Sequence, residues 1–581
     1  MSVRIRPVAL FVVAGLAGCA NSATSSRAPT ATDRTAVSST VSTVEVQCVP
    51  ADVDGTVTIW HSMGGPVATD LWTQYEVEFE RDHNIDLEVV AFGGDRSIVD
   101  KLEATPRGEW PDLIDVSEQN TLTLLDTQQF LPPSACDESL GIDLQPLVRA
   151  TYSVNGELVA LPFAVSVPVL VFDAAEFRTA GIDPDAPPLT LPALLAASAA
   201  LSESKASPYG LVITDGCANV VLEQFSAKRG VPEGGSNNGH DGQPVEVDFA
   251  TADNVKDMTA LAEGVVAGHV KYLGGSENNL DDLLELSNTT DDGGSMTVHT
   301  SGALGDVIRL LGNFPGVELG VGPLPGPGAG SLIGGNAFWL TKNSDAEQVG
   351  RAWSVLKWLY QPRQLARLAL DAGYVPATRA AAEDGALLQR WQEYPQLRVA
   401  YDQVLATPVS PATAGALFGP FSARARVLYE ACDKILGQGA DVTATLEAAS
   451  QAVNQLTSQY EAQQSGEEPS APSSVVVPEQ PSSLDVAGAV ECASGAAVVG
   501  VWVAAETRPD RNSGWATYET TGPATATYAY TLPFGGRFQL HVGCGGSEND
   551  WGSTSLTMFV SGSQDFECRD DPPRRGTCLA L

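Results

Sequence analysis

Between residues 55 and 462 the apolar spacing switches repeatedly between a period of two and a helical period, and this alternation restricts the fold more than any other feature. Val57 to Trp60 is a short apolar strand. After the turn Gly64-Gly65-Pro66, the residues Val67, Leu71, Tyr75 and Phe79 recur at every fourth position and mark one helical stripe. Ile85, Leu87, Val89 and Ala91 alternate as a strand, a short helix spans Ile98 to Leu102, and Pro111-Asp112-Leu113-Ile114-Asp115-Val116 forms a third strand. A βαβαβ opening of this kind predicts a parallel sheet flanked by helices. The pattern resumes with a strand at Val169 to Phe172, a helix beginning near Thr190 with Leu191, Leu194 and Leu195, and a strand near Leu211 to Thr214.

Residues 463–483 break the pattern. They hold Ser, Pro, Glu and Gln without an aromatic, and Pro469, Pro472, Pro478 and Pro481 stiffen them into a linker. Beyond it, Val499 to Ala504, Thr525 to Leu532, Phe538 to Val542 and Ser555 to Val560 are β-rich runs separated by Gly, Asn, Asp and Pro. They predict an all-β sandwich of about 100 residues.

At the N-terminus, Arg4 and Arg6 precede a short apolar core from Val8 to Leu16, and Leu16-Ala17-Gly18-Cys19 reads as a lipobox. The apolar run is too short to span a bilayer, so residues 1–18 are expected to be a lipoprotein signal peptide. Cys19 is then the lipid-bearing first residue of the mature chain, anchored by two acyl chains. Residues 19–46, rich in Ser, Thr and Ala, form a flexible tether. The expected division is therefore 1–18, 19–46, a two-lobe domain over 47–462, the linker 463–483 and a disulfide-linked β-domain over 484–581.

Eight cysteines remain besides Cys19, an even number that suits disulfides outside the cytosol. Spacing does not fix their connectivity. The working pairing is Cys48–Cys136, Cys217–Cys432, Cys492–Cys544 and Cys568–Cys578.

The net charge of −38 argues against a nucleic-acid partner, which needs clustered Lys and Arg. The chain has no His-Glu-x-x-His, no Gly-x-Ser-x-Gly and no phosphate-binding Gly-Lys-Ser/Thr loop. Its six histidines are scattered without metal-ligand spacing. The expectation is a protein that is not an enzyme and that carries no metal and no cofactor.

Several blocks carry a resemblance. Trp60-His61-Ser62-Met63-Gly64-Gly65 resembles the opening signature of the sn-glycerol-3-phosphate-binding proteins, within the extracellular solute-binding proteins of ABC importers. Leu161-Pro162-Phe163 with Pro168-Val169-Leu170, the turn through 180–188, Glu223-Gln224-Phe225-Ser226, Asn237-Asn238-Gly239, Ile333-Gly334-Gly335, Gly373-Tyr374-Val375-Pro376 and Ala425-Arg426-Val427 are similar to further blocks, in family order. The resemblance spans roughly residues 55 to 460 and leaves out the C-terminal β-domain. It implies an α/β fold of two lobes closing about a hinge, of the periplasmic-binding-protein type.

The resemblance also implies ligand residues. Glu118 accepts ligand hydroxyl groups, Ser166 donates to an anionic end, Gly335 lets backbone approach the ligand, Tyr374 reaches across the cleft and Arg426 pairs with phosphate. Phe92 stands where the family has a tyrosine. Gly216 and Asn219 stand where it has two tryptophans, which implies a wider pocket and a ligand larger than glycerol phosphate. The expected function is a lipid-anchored, monomeric binding subunit that captures a polyol phosphate, glycerophosphodiester or sugar outside the cytoplasm and hands it to ABC permease subunits. The alternatives are a carbohydrate-active enzyme, with Trp502, Trp515 and Trp551 stacking on sugar, and a surface sensor or adhesion protein reusing the fold.

Overall fold

The computed structural model describes Cys48 and, short internal segments excepted, residues 51–465 and 484–580. The expectations for residues 1–46 with Cys19, for Gly216 and Cys217, and for most of 463–483 lie outside the described residues.

The predicted βαβαβ opening is present. Strand Gly55–His61 pairs in parallel with Ile85–Ala91 from Gly55↔Ile85 to His61↔Ala91, and with Leu113–Ser117 on its other edge. Helix Pro66–Asp82 crosses between the first two strands and buries Leu71, Tyr75 and Phe79, the residues of the fourfold stripe. The outer edge of Leu113–Ser117 takes an antiparallel strand from far along the chain, Gly334–Thr341, which also pairs with Leu161–Ser166.

A second sheet centres on Met296–Thr300. Leu211–Ile213 lies parallel to it and to Val270–Tyr272, while Pro168–Asp173 runs antiparallel to Met296–Thr300 and to Leu319–Pro323. Helix Leu191–Glu203 packs Leu191, Leu194 and Leu201 into this half, and Thr190 caps it by accepting from the Ala193 amide. The first sheet sits in one apolar core and the second sheet buries Leu170, Phe172, Leu211 and Met296 in another, while Val169 and Val171 on its opposite face join the first core; the chain makes two lobes.

The lobes share strands in sequence but not in space. Leu161–Ser166 belongs to the first sheet and Pro168–Asp173 to the second, with Val167 alone between them. Leu319–Pro323 and Gly334–Thr341 repeat the crossing in the opposite direction. A third crossing falls between Leu417, in the first core, and Phe418, in the second. Gln403 ties two crossings together: its amide donates to the Pro168 carbonyl at 2.9 Å and accepts from the Leu324 amide at 2.7 Å. Connections that lie side by side and are bound to one another make a hinge, because closure then needs only a few backbone rotations.

The last helix of the lobes runs to Ser465, and the β-domain begins with strand Leu484–Cys492. Nine strands follow one hydrogen-bonded order. Val501, Val503, Leu540 and Val542 from one part of that order share a core with Val486, Val490, Tyr528 and Leu532 from another, so the sheet doubles over as a sandwich. The strand expected at Ser555 to Val560 is instead Asp550–Leu556, hairpinned on Phe538–Ser547, and Val560 makes only an isolated bridge to Phe538. Pairing with a long partner, rather than apolar content, set its limits. Disulfides join Cys48–Cys136, Cys492–Cys544 and Cys568–Cys578. Cys432 is buried and also disulfide-bonded, to a partner outside the described residues.

Candidate functional site

A cavity of about 230 Å³ lies where the lobes meet at the crossings. The first lobe contributes Glu118, at the turn that ends strand Leu113–Ser117. Ligands of open α/β sheets lie at such carboxyl ends of strands. The crossings contribute Ser166, Val167 and Pro168 on one chain and Leu332, Ile333 and Gly334 on the other. The second lobe contributes Asn219, Glu223 and Gln224 from the helical turn Asn219–Gln224, Thr300 from its central sheet, and Arg424 from helix Phe421–Cys432.

Of the residues singled out in the sequence, Glu118, Ser166 and Asn219 line this cavity together. Asn219 lies beside Tyr429, whose hydroxyl accepts from its amide at 3.5 Å. Gly335 is one residue beyond the wall. Its φ is +109°, and a Cβ there would lie 1.9 Å from the Ala164 carbonyl, so the glycine is required by the neighbouring crossing strand. Tyr374 packs against Gly302, next to Thr300, and is not among the lining residues. Phe92 packs against Trp60 at the first-lobe sheet edge, with ring centres 5.1 Å apart and planes tilted by 47°, also away from the wall. Arg426 is half-buried and does not line the cavity.

The cation on the wall is Arg424, two residues earlier. It is only 1 % exposed and donates to two carboxylates, to Glu223 at 2.6 Å and to Glu233. Its guanidinium also lies 4.4 Å from the ring centre of Phe418. Burial disfavours the cation, but the two carboxylates more than offset it, so its pKa rises. Burial pushes the Glu233 carboxyl up from its ordinary value, against the pull of Arg424. Gln224 braces the wall by accepting from the Leu332 amide at 2.8 Å and from the Ser331 hydroxyl.

Sequence reasoning missed Arg424 and Glu233. The signal for Arg424 was present: Phe421, Arg424, Ala425, Leu428, Ala431 and Cys432 share one helical stripe, which is apolar except for the arginine. A charge on such a stripe needs a buried partner. Glu233 sits in an irregular segment, where no period marks burial.

Among the described residues no helix is long and apolar enough to cross a membrane. No group of three or more His, Cys, Asp or Glu residues among them is placed to hold a metal ion.

The geometry has counterparts among known proteins. Residues 74–399, more than half of the chain, match the sequence family of bacterial extracellular solute-binding proteins. The sn-glycerol-3-phosphate-binding periplasmic protein UgpB of Salmonella typhimurium is 28 % identical over 384 residues, covering 63 % of this chain and 84 % of its own. The structure of UgpB from Mycobacterium tuberculosis in complex with glycerophosphocholine superposes with a TM-score of 0.56 at 17 % identity, over 69 % of this chain and 98 % of that one. A ribitol complex of an ABC transporter solute-binding protein from Agrobacterium radiobacter K84 superposes equally well, with a TM-score of 0.56 at 19 % identity over 70 % of this chain and 100 % of its own. Two lobes, three crossings and a polar cleft between them thus agree with the sequence match, and the chain belongs to the bacterial extracellular solute-binding protein family.

Proposed function

We propose that this protein is the ligand-capturing subunit of an ABC importer. It works outside the cytoplasm, held to the membrane by a lipid on Cys19, and it closes its lobes on a small polyhydroxylated molecule: a polyol, a glycerophosphodiester or a sugar. The observation that carries this reading is the cavity itself. It lies at the crossings, open on one side, and takes polar groups from both lobes, Glu118 from one and Asn219, Glu223 and Arg424 from the other. A ligand seated there touches both lobes at once, so binding favours the closed state by its differential contacts.

Glu118 accepts ligand hydroxyls, and Ser166 and Asn219 supply donors. The relatives that bind glycerol phosphate, glycerophosphocholine and ribitol support this ligand range. In this role the protein transfers its ligand unchanged to a permease and catalyses nothing.

A thermal-shift screen of the mature chain against polyols, sugars, glycerol 3-phosphate and glycerophosphocholine tests the proposal. At a hundredfold excess over Kd a ligand that binds only the folded state adds about 2.7 kcal/mol of stability. A shift with at least one of them is expected. No shift with any compound, at concentrations that saturate relatives, would contradict the reading.

A further inference from the structure

The cleft contains the guanidinium that a phosphate group would need, but both of its terminal nitrogens are already engaged. Arg424 donates through one terminal nitrogen to Glu223 and through the other to Glu233. All three residues belong to the second lobe: Glu223 on the turn Asn219–Gln224, Glu233 in the segment after it, and Arg424 on helix Phe421–Cys432. The arrangement therefore exists before the lobes close. It is buried, with Arg424 1 %, Glu233 8 % and Glu223 14 % exposed at the side chain, and a ring of Phe418 lies over the guanidinium. Such a group does not open for a ligand at low cost, because separating it would leave a buried carboxylate unpaired.

The charges that remain are negative. Among the described lining residues, Glu118, Glu223 and Glu233 face a single Arg424. His299 also lines the cavity, with its Nε2 3.6 Å from the Asp282 carboxylate. A dianion entering between the lobes would meet carboxylates on both sides. A hydroxyl group would instead meet acceptors, and ionised carboxylates accept hydroxyl donors strongly.

We infer that Glu223 and Glu233 set the specificity of this cleft by occupying Arg424, so that it takes an uncharged polyol or sugar and excludes phosphate monoesters. The inference rests on the importer reading and narrows its ligand class.

Titration calorimetry on the intact mature chain at neutral pH tests it, with ribitol and maltose as neutral probes and glycerol 3-phosphate as the charged one. A neutral probe is expected to bind, with glycerol 3-phosphate more than about a hundredfold weaker, the scale of a like-charge juxtaposition. Glu223→Gln with Glu233→Gln frees the guanidinium, and this variant is expected to gain at least about tenfold in affinity for glycerol 3-phosphate. Glu223→Gln alone, at the more exposed of the two carboxylates, should gain less and guards against misfolding of the double variant. Glycerol 3-phosphate binding to the unmodified chain as tightly as the neutral probes would overturn the inference. So would folded variants that gain no affinity for it. Silence of the whole panel on the unmodified chain would instead sink the importer reading, while the variants would still decide the charge claim.

Discussion

Two positions along an α-helix turn a side chain through about 200°. Arg424 and Arg426 show the consequence. Arg424 falls on the buried stripe of helix Phe421–Cys432 with Ala425, Leu428 and Cys432, whereas Arg426 falls off it and stays half-buried. Arg424→Ala should cost about 3–5 kcal/mol of stability, because it strands Glu223 and Glu233 without their cation. Arg426→Ala should stay within about 0.5 kcal/mol. Urea unfolding of both variants checks the contrast.

His61 is a second buried polar residue with a measurable signature. It is stacked on Trp72 at 4.8 Å, and burial pushes its pKa down from 6.5 to about 4. Below pH 6.5 the unfolded chain binds a proton that the folded one refuses. The stability present above that pH is therefore lost as pH falls towards 4, by up to about 3 kcal/mol. Burial also pushes the Glu176 carboxyl up to about 7, which acts in the opposite direction over the same window. The difference between the parent chain and His61→Gln isolates the histidine: the variant should lose less stability between pH 6.5 and 4. Parallel pH profiles for the two would contradict this.

At the scale of elements, the crossings matter most. Gly334 and Gly335 are neighbours on one strand with opposite tolerance. A Cβ on Gly334 would meet only the Ser166 hydroxyl at 3.8 Å, an ordinary contact, and would enter the cavity. A Cβ on Gly335 would strike the Ala164 carbonyl. Gly335→Ala should therefore destabilise the fold by more than about 2 kcal/mol, while Gly334→Phe should fold and fill the cleft. Thermal unfolding of the pair distinguishes them.

The long, periodic elements were legible in the sequence: the stripe Leu71, Tyr75, Phe79 and the strand Ile85–Ala91 appear where their spacing placed them. The crossings were legible only through resemblance. Strand Leu161–Ser166 is buried at every position, so no alternation separates one face from the other. The cleft was half legible. Glu118, Ser166 and Asn219, expected at the ligand, line the cavity, whereas the expected Arg426 lies off it and Arg424, two residues earlier, lines it; block matching fixes a neighbourhood and not the phase of a helix.

For the whole molecule, the Cys48–Cys136 disulfide closes 88 residues around the first lobe's opening strands and helices. Cys136→Ser should lower stability by about 4.6 kcal/mol on the chain-entropy account. We propose that residues 463–483 connect two independently folding modules. Limited proteolysis should then cut there first and leave a lobe fragment with its ligand affinity intact.

The central claim is that a small ligand is held in the cleft at the crossings. Titration calorimetry of Gly334→Phe against whichever polyol or sugar binds the parent chain tests it most directly. The account predicts one ligand per parent chain and no measurable binding to the folded variant. Undiminished affinity in Gly334→Phe would place the ligand elsewhere and contradict it.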